Sequence, residues 1–184
     1  MNPQIKILLY GSNLWYFGEG MLGPLFAVFA QRIGGNILQL TTAWAIYLIV
    51  MGVMIIIFGK MSDRRDAAKL MVAGYALNAI FTFGYLFVTS PYQLFIVQAG
   101  LGAAYALAVP TWLTLYGKFE DPGREGSEWG LVTGEGRIVT GIAIIIGGLI
   151  VTYASFTALF VVMGCLQVVA ALYQARILRY TNPS

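Results

Sequence analysis

Gly59-Lys60-Met61-Ser62-Asp63-Arg64-Arg65-Asp66 sets five charged side chains in eight residues between two long apolar stretches, Leu40 to Gly59 and Lys69 to Val88. Elsewhere charge is scarce: hydrophobic residues make up 59% of the 184 and charged residues only 10%. No ordinary soluble domain of this length carries so much apolar side chain on its surface, so the chain belongs in a bilayer. The cluster then marks a turn at the membrane face between two spans.

Working outward from it, segments of about 20 apolar residues, the length a spanning helix needs, number six: 7–30, 40–59, 69–88, 92–116, 129–153 and 156–177. The reading is an all-α membrane protein, one six-helix transmembrane bundle over residues 1–184. Little chain is left for a soluble domain, the longest connection being Gly117 to Glu128. The first segment, with Glu19 and Pro24 in its interior and no small-residue cleavage site after it, reads as a retained helix rather than a signal peptide. Cys165 is the only cysteine and histidine is absent, which excludes disulfide frameworks, zinc sites and His-based nucleophilic triads. Cys165 is expected to be a small buried helix residue, and neither cofactor nor metal nor enzymatic activity is implied.

With six spans both termini share one side, and so do all Lys and Arg except Arg32, on the far side, and Arg137, within a span. The positive-inside rule puts both termini in the cytoplasm of a multi-pass inner (plasma) membrane protein. The excess positive charge, +3 overall, is thereby a matter of topology rather than of nucleic-acid binding.

The run Gly59-x-x-x-Asp63-Arg64-Arg65 resembles the loop signature between the second and third helices of the major facilitator superfamily. The stretch Gln98-Ala99-Gly100-Leu101-Gly102-Ala103-Ala104 with Pro110 is similar to that family's Gly-rich fourth helix. Pro122-Gly123-Arg124-Glu125-Gly126 is similar to its helix four to five loop, and Gly147-Gly148 to its paired fifth-helix glycines. The family's proton-coupling arginine would fall at Ile96 and its antiporter Gly-Pro at Ala143-Ile144, so those two marks are missing. The resemblance implies the amino-terminal half of a major facilitator fold: six helices as a three-plus-three inverted repeat, with Pro24 and Pro110 at similar offsets as potential kinks. It also implies a gating role for the loop, Asp63 facing a helix end and Arg64 or Arg65 meeting Glu120 or Asp121.

Family members join two such halves around a midplane cavity. A half alone would expose polar lining to lipid, at a cost of ~2.5 to 3.5 kcal/mol per central charge. The simplest second half is another copy of the chain, a parallel homodimer; the alternatives are a separate partner chain or a longer protein of which this is the first half.

Three ionisable residues lie within spans, Glu19, Glu135 and Arg137, the last ~12 Å in from Trp129. Helical spacing puts Ser12, Tyr16, Glu19 and Gly23 on one face, Thr133, Arg137, Thr140 and Gly141 on another, and Gln98, Gly102, Tyr105 and Trp112 on a third. Three polar stripes require a wet cavity. Arg137 can hold a carboxylate or phosphate bidentately or pair with Glu19 by turns. Glu19 is then the coupling group for a proton or ion, and Glu135, one residue off the face, has a role there or against the other half. Tyr10, Trp129, Tyr153 and Tyr180 at helix ends read as interface anchors. The function read from the residues is secondary active transport of a small polar or anionic solute by alternating access. Its rival is a non-transporting assembly subunit in which Glu19 and Arg137 are helix glue.

Overall fold

The computed structural model describes residues 2–62 and 66–181, with 60–62 described by backbone only. Among these every regular element is helical: α1 (Pro3–Leu22), α2 (Leu25–Arg32), α3 (Ile37–Ser62), α4 (Ala67–Gly84), α5 (Pro91–Phe119), α6 (Glu125–Tyr153), α7 (Phe156–Gln174) and the short α8 (Leu178–Thr181). Helix starts follow local chemistry. Asn2 accepts from the Ile5 N–H with Pro3 at the first helical position, Asp66 accepts from Ala68 and Lys69 at the head of α4, and Ser155 accepts from Ala158 at the head of α7.

Five helical stretches are long and apolar enough to cross a membrane: Ile37–Gly59, Ala67–Phe87, Pro91–Phe119, Glu125–Tyr153 and Phe156–Thr181. The expected first span, 7–30, is corrected. It is divided into α1 and α2 at Gly23 and Pro24, and neither piece meets that standard. Gly23 sits at φ +25°, outside the helical region, and Pro24 brings no N–H, so two breakers act together. Lys6, Ser12, Asn13 and Glu19 also dilute the hydropathy of α1. Pro110 behaves differently: α5 runs through it unbroken, and the Thr111 hydroxyl donates to the Leu107 carbonyl (2.6 Å) beside the backbone group that Pro110 leaves without a donor.

The connection expected at Gly117 to Glu128 is also shorter, only Glu120 to Arg124. Glu125 and Glu128 lie in the first turn of α6, where carboxylates favour a helix start.

Helices α4 and α7 pack together as the back of the bundle, α5 packs on α4, and α1 packs on α7. The wings are α3, held on α5, and α6, held on α1. At both wing contacts a glycine lets backbones meet. A Cβ on Gly102 would come within 2.5 Å of the Tyr47 carbonyl oxygen of α3, and one on Gly147 within 2.0 Å of the Met21 carbonyl oxygen of α1. The wings are otherwise bare: the apolar windows of α3 and α6 are 6% and 17% buried, against 56% for α5. Cys165, expected to be buried, is exposed on the outer face of α7.

Candidate functional site

A cavity of about 270 Å³ opens between α1, α4, α5 and α6. From α1 come Ser12, Trp15 and Tyr16; from α4, Tyr75; from α5, Tyr105 and Trp112 among others; and from α6, Trp129, Thr133, Arg137 and Thr140. The three stripes read from helical spacing therefore converge on one space. They contribute Ser12 and Tyr16, Thr133, Arg137 and Thr140, and Tyr105 and Trp112.

The walls are held from behind. Trp15 packs edge-on against Tyr75 with ring centroids 4.5 Å apart, and Gly136 leaves room for the Tyr16 ring, which a Cβ there would approach to 3.1 Å. At the end nearer the amino terminus, Trp112 stacks on Tyr116 at 4.8 Å and donates its indole N–H to the Leu8 carbonyl (3.2 Å). Trp129 lies over Tyr116 at 4.7 Å and donates its indole N–H to Glu120 (2.8 Å). Trp129, expected to be an interface anchor, is half-buried in this floor. Helix α6 starts four residues earlier than the span read from sequence and so carries Trp129 inside its first turns. Of the other three expected anchors, Tyr153 and Tyr180 are exposed at helix ends, whereas Tyr10 is exposed but lies about two turns inside α1.

Arg137 is the only charged side chain lining the cavity among the described residues. It is exposed, and no hydrogen bond or ion pair engages it among the described residues. A permanently charged guanidinium beside Tyr16, Tyr105 and two threonines is equipped to take an anion bidentately, with hydroxyls available for further hydrogen bonds.

Glu19 lies one turn beyond Tyr16 on α1, outside the cavity lining. Its Oε1 accepts from Asn78 Nδ2 of α4 (2.9 Å) and lies 3.4 Å from Gln167 Nε2 of α7, which also donates to the Trp15 carbonyl (3.1 Å). A polar seam thus ties α1 to the back of the bundle. Gln167 and Gln174, two turns apart on α7, lie against Gly18 and Gly11, two turns apart on α1: a Cβ on Gly18 would come within 2.5 Å of Gln167 Nε2, and one on Gly11 within 1.6 Å of Gln174 Oε1. No ion pair joins Glu19 to Arg137 among the described residues.

The remaining expected residues lie apart from the cavity. Gln98 is buried and accepts from the Tyr85 hydroxyl (3.1 Å), and Glu135 accepts from Asn13 Nδ2 (2.8 Å). Gly59 is in the last turn of α3, while Asp63, Arg64 and Arg65, the expected gating residues, lie outside the described residues. Tyr75, Gln167 and Gln174 were not singled out from sequence. The matching seven-residue spacing of Gly11 with Gly18 and Gln167 with Gln174 is the signal that could have found the seam.

The Major Facilitator Superfamily family model matches residues 8–184. Among curated proteins, the chain is similar to the multidrug resistance protein MdtG of Salmonella arizonae, Salmonella newport and Salmonella agona, each 24% identical over 119 residues, covering 62% of this chain and 30% of the relative. The matched part is thus under a third of each relative's length.

Proposed function

This chain belongs to the major facilitator superfamily, and we propose that it is a half-size transporter that carries a small organic anion across the inner membrane as a parallel homodimer. The observation that carries the reading is the cavity, whose single charge, Arg137, has room beside it and no partner among the described residues. The aromatic walls suit the apolar body of such a solute and the guanidinium suits its carboxylate or phosphate. The relatives' name, multidrug resistance protein, agrees with an organic cargo, while the sign of the cavity charge favours an anion.

The three-plus-three repeat, with α1 and α2 together as the first span, is supported by the packing order. Exchanging α1 with α5, α3 with α6 and α4 with α7 leaves the set of major helix contacts unchanged. The bare wings α3 and α6 are the surfaces on which a second half docks, closing the cavity between two copies. Rocking of one copy against the other gives alternating access, Glu19 is the group that couples to a proton or ion, and the charged loop at Asp63, Arg64 and Arg65 latches the cytoplasmic side, where both termini lie.

The test is uptake by the purified chain in proteoliposomes, using radiolabelled benzoate, phenyl phosphate and benzylamine, with protomers per particle counted in nanodiscs. Saturable uptake of an anionic member by dimers is the expected result. Uptake of none of them by a stable lone protomer would refute the reading, and uptake only when a different chain is added would assign the second half to that chain.

A further inference from the structure

A second cavity, of about 320 Å³, lies at the end of the bundle away from the amino terminus, where α2 ends, α4 turns into α5 and α6 turns into α7. Its wall is a cluster of rings. Phe29 meets Phe156 (5.3 Å between centroids) and Phe160 (4.8 Å), and Tyr85 stacks on Phe160 at 4.9 Å. All four are buried. At the rim stands Arg32, its guanidinium carbon 5.7 Å from the Phe156 ring centroid.

The position of Arg32 is built rather than incidental. It closes the last turn of α2, which ends in a glycine turn: Gly34, at φ +84°, donates its N–H to the Gln31 carbonyl (3.0 Å) and Gly35 donates to that of Ala30 (2.9 Å). Phe29 sits one turn back on the same helix and belongs to the ring cluster, so cation and apolar wall are fixed to one another.

What Arg32 lacks is a counter-charge. The sequence has no Asp or Glu between Glu19 and Asp63, between Asp66 and Glu120, or after Glu135, and every segment lining this cavity falls in those acid-free stretches. No ion pair engages Arg32 among the described residues. The polar groups at the rim are hydroxyls. The Ser155 oxygen accepts from the Ala158 N–H (3.1 Å), which leaves its own hydrogen to donate, and Thr157 is exposed beside it. The start of α7 adds a weak positive potential of the same sign. An unpaired guanidinium beside a ring-lined hollow is complementary to a molecule with a negative head and an apolar body.

We propose that this cavity is a second binding site, distinct from the one around Arg137, for an amphiphilic anion whose phosphate or carboxylate sits on Arg32 and whose apolar part lies against Phe29, Tyr85, Phe156 and Phe160. Two sources share that chemistry, an anionic phospholipid of the surrounding leaflet and a soluble aryl phosphate or carboxylate.

The full chain in phosphatidylcholine nanodiscs is titrated with short-chain phosphatidylglycerol, with phenyl phosphate and with short-chain phosphatidylcholine, and bound adducts are counted by native mass spectrometry. At least one anion is expected to bind saturably, and the short-chain phosphatidylcholine not. Phosphatidylglycerol alone identifies a lipid site, phenyl phosphate alone a solute site, and both together a site that reads only head and ring. Every titration is made in the Arg137→Gln background, so that phenyl phosphate is counted at this cavity and not at the other; there Arg32→Gln should weaken binding at least tenfold, Arg32→Lys less, and Phe156→Leu severalfold. The variants' melting temperatures confirm that they are folded. Failure of both anions to bind, equal binding of phosphatidylcholine, or undiminished binding by folded Arg32→Gln would overturn the proposal, and none of these outcomes bears on uptake through the Arg137 cavity.

Discussion

Along α1, Tyr16 and Glu19 are less than one turn apart, yet the first faces an open space and the second a filled one. The cavity beyond Tyr16 holds a cation with room and no partner among the described residues, while the seam at Glu19 holds a carboxylate already met by Asn78 and Gln167. A polar group inside a membrane costs free energy until something satisfies it, and there are two ways to do so. Where the chain supplies the donors, the polar group becomes packing. At the space it leaves open, water or cargo must supply them.

The sharpest way to break that contrast is to remove the cation. Arg137→Gln should cut uptake of an anionic solute by roughly ten- to a hundredfold, since a hydrogen bond to a charged group is worth about 1.5–3 kcal/mol. Its melting temperature should stay close to that of the unaltered protein, because no hydrogen bond or ion pair among the described residues is lost. A large fall in stability would show that Arg137 belongs to the packing after all, and the two regions would no longer differ.

Filling the seam should do the reverse. Gly18→Val drives its Cβ into the Gln167 amide and displaces that buried side chain from Trp15 and Glu19, at about 1–3 kcal/mol for an overpacked contact. The loss should appear as reduced thermal stability in detergent. Val at Gly134, where a Cβ meets nothing within 4 Å, is the control and should cost little.

A smaller effect is expected from Gln167→Leu, which keeps the volume but withdraws the donor shared by the Trp15 carbonyl and Glu19. Hydrogen bonds between membrane helices average about 0.6 kcal/mol and reach about 1.7. A change within that range, measured as a shift in unfolding midpoint, fits a seam whose carboxylate keeps Asn78 as a second donor. A larger one would mean that Gln167 alone holds Glu19.

How much of this could be read in advance follows from which forces act locally. Span positions depend on apolar composition over some 20 residues, and stripes depend on helical repeat, so α3 to α7 and the meeting of Ser12, Tyr16, Tyr105, Trp112, Thr133 and Arg137 were legible. The fate of a proline is not: Pro24 and Pro110 look equivalent in sequence, and only the neighbouring Gly23 and Thr111 make one a break and the other a helix residue. Nor does repeat alone separate Glu19 from Tyr16, because the choice is made by Asn78 and Gln167, which reach Glu19 from helices 59 and 148 residues away in the chain. Gln98 shared a stripe with Tyr105 but found Tyr85 first, a partner that no spacing announces.

The finest distinction is whether Glu19 is only packing. Glu19→Gln keeps the shape and still offers a carbonyl oxygen to Asn78 and Gln167, so if the seam is all that Glu19 serves, stability and uptake should both change by less than about twofold, under 0.5 kcal/mol. Coupling needs more than an acceptor; it needs a group that gains and loses a proton as the two copies rock. On the proposed mechanism, the variant should therefore keep its stability and still exchange labelled solute across equilibrated liposomes. It should fail, however, to accumulate that solute against a gradient when a proton gradient is imposed. Accumulation equal to that of the unaltered protein would confine Glu19 to the filled side of the contrast and move coupling to another residue.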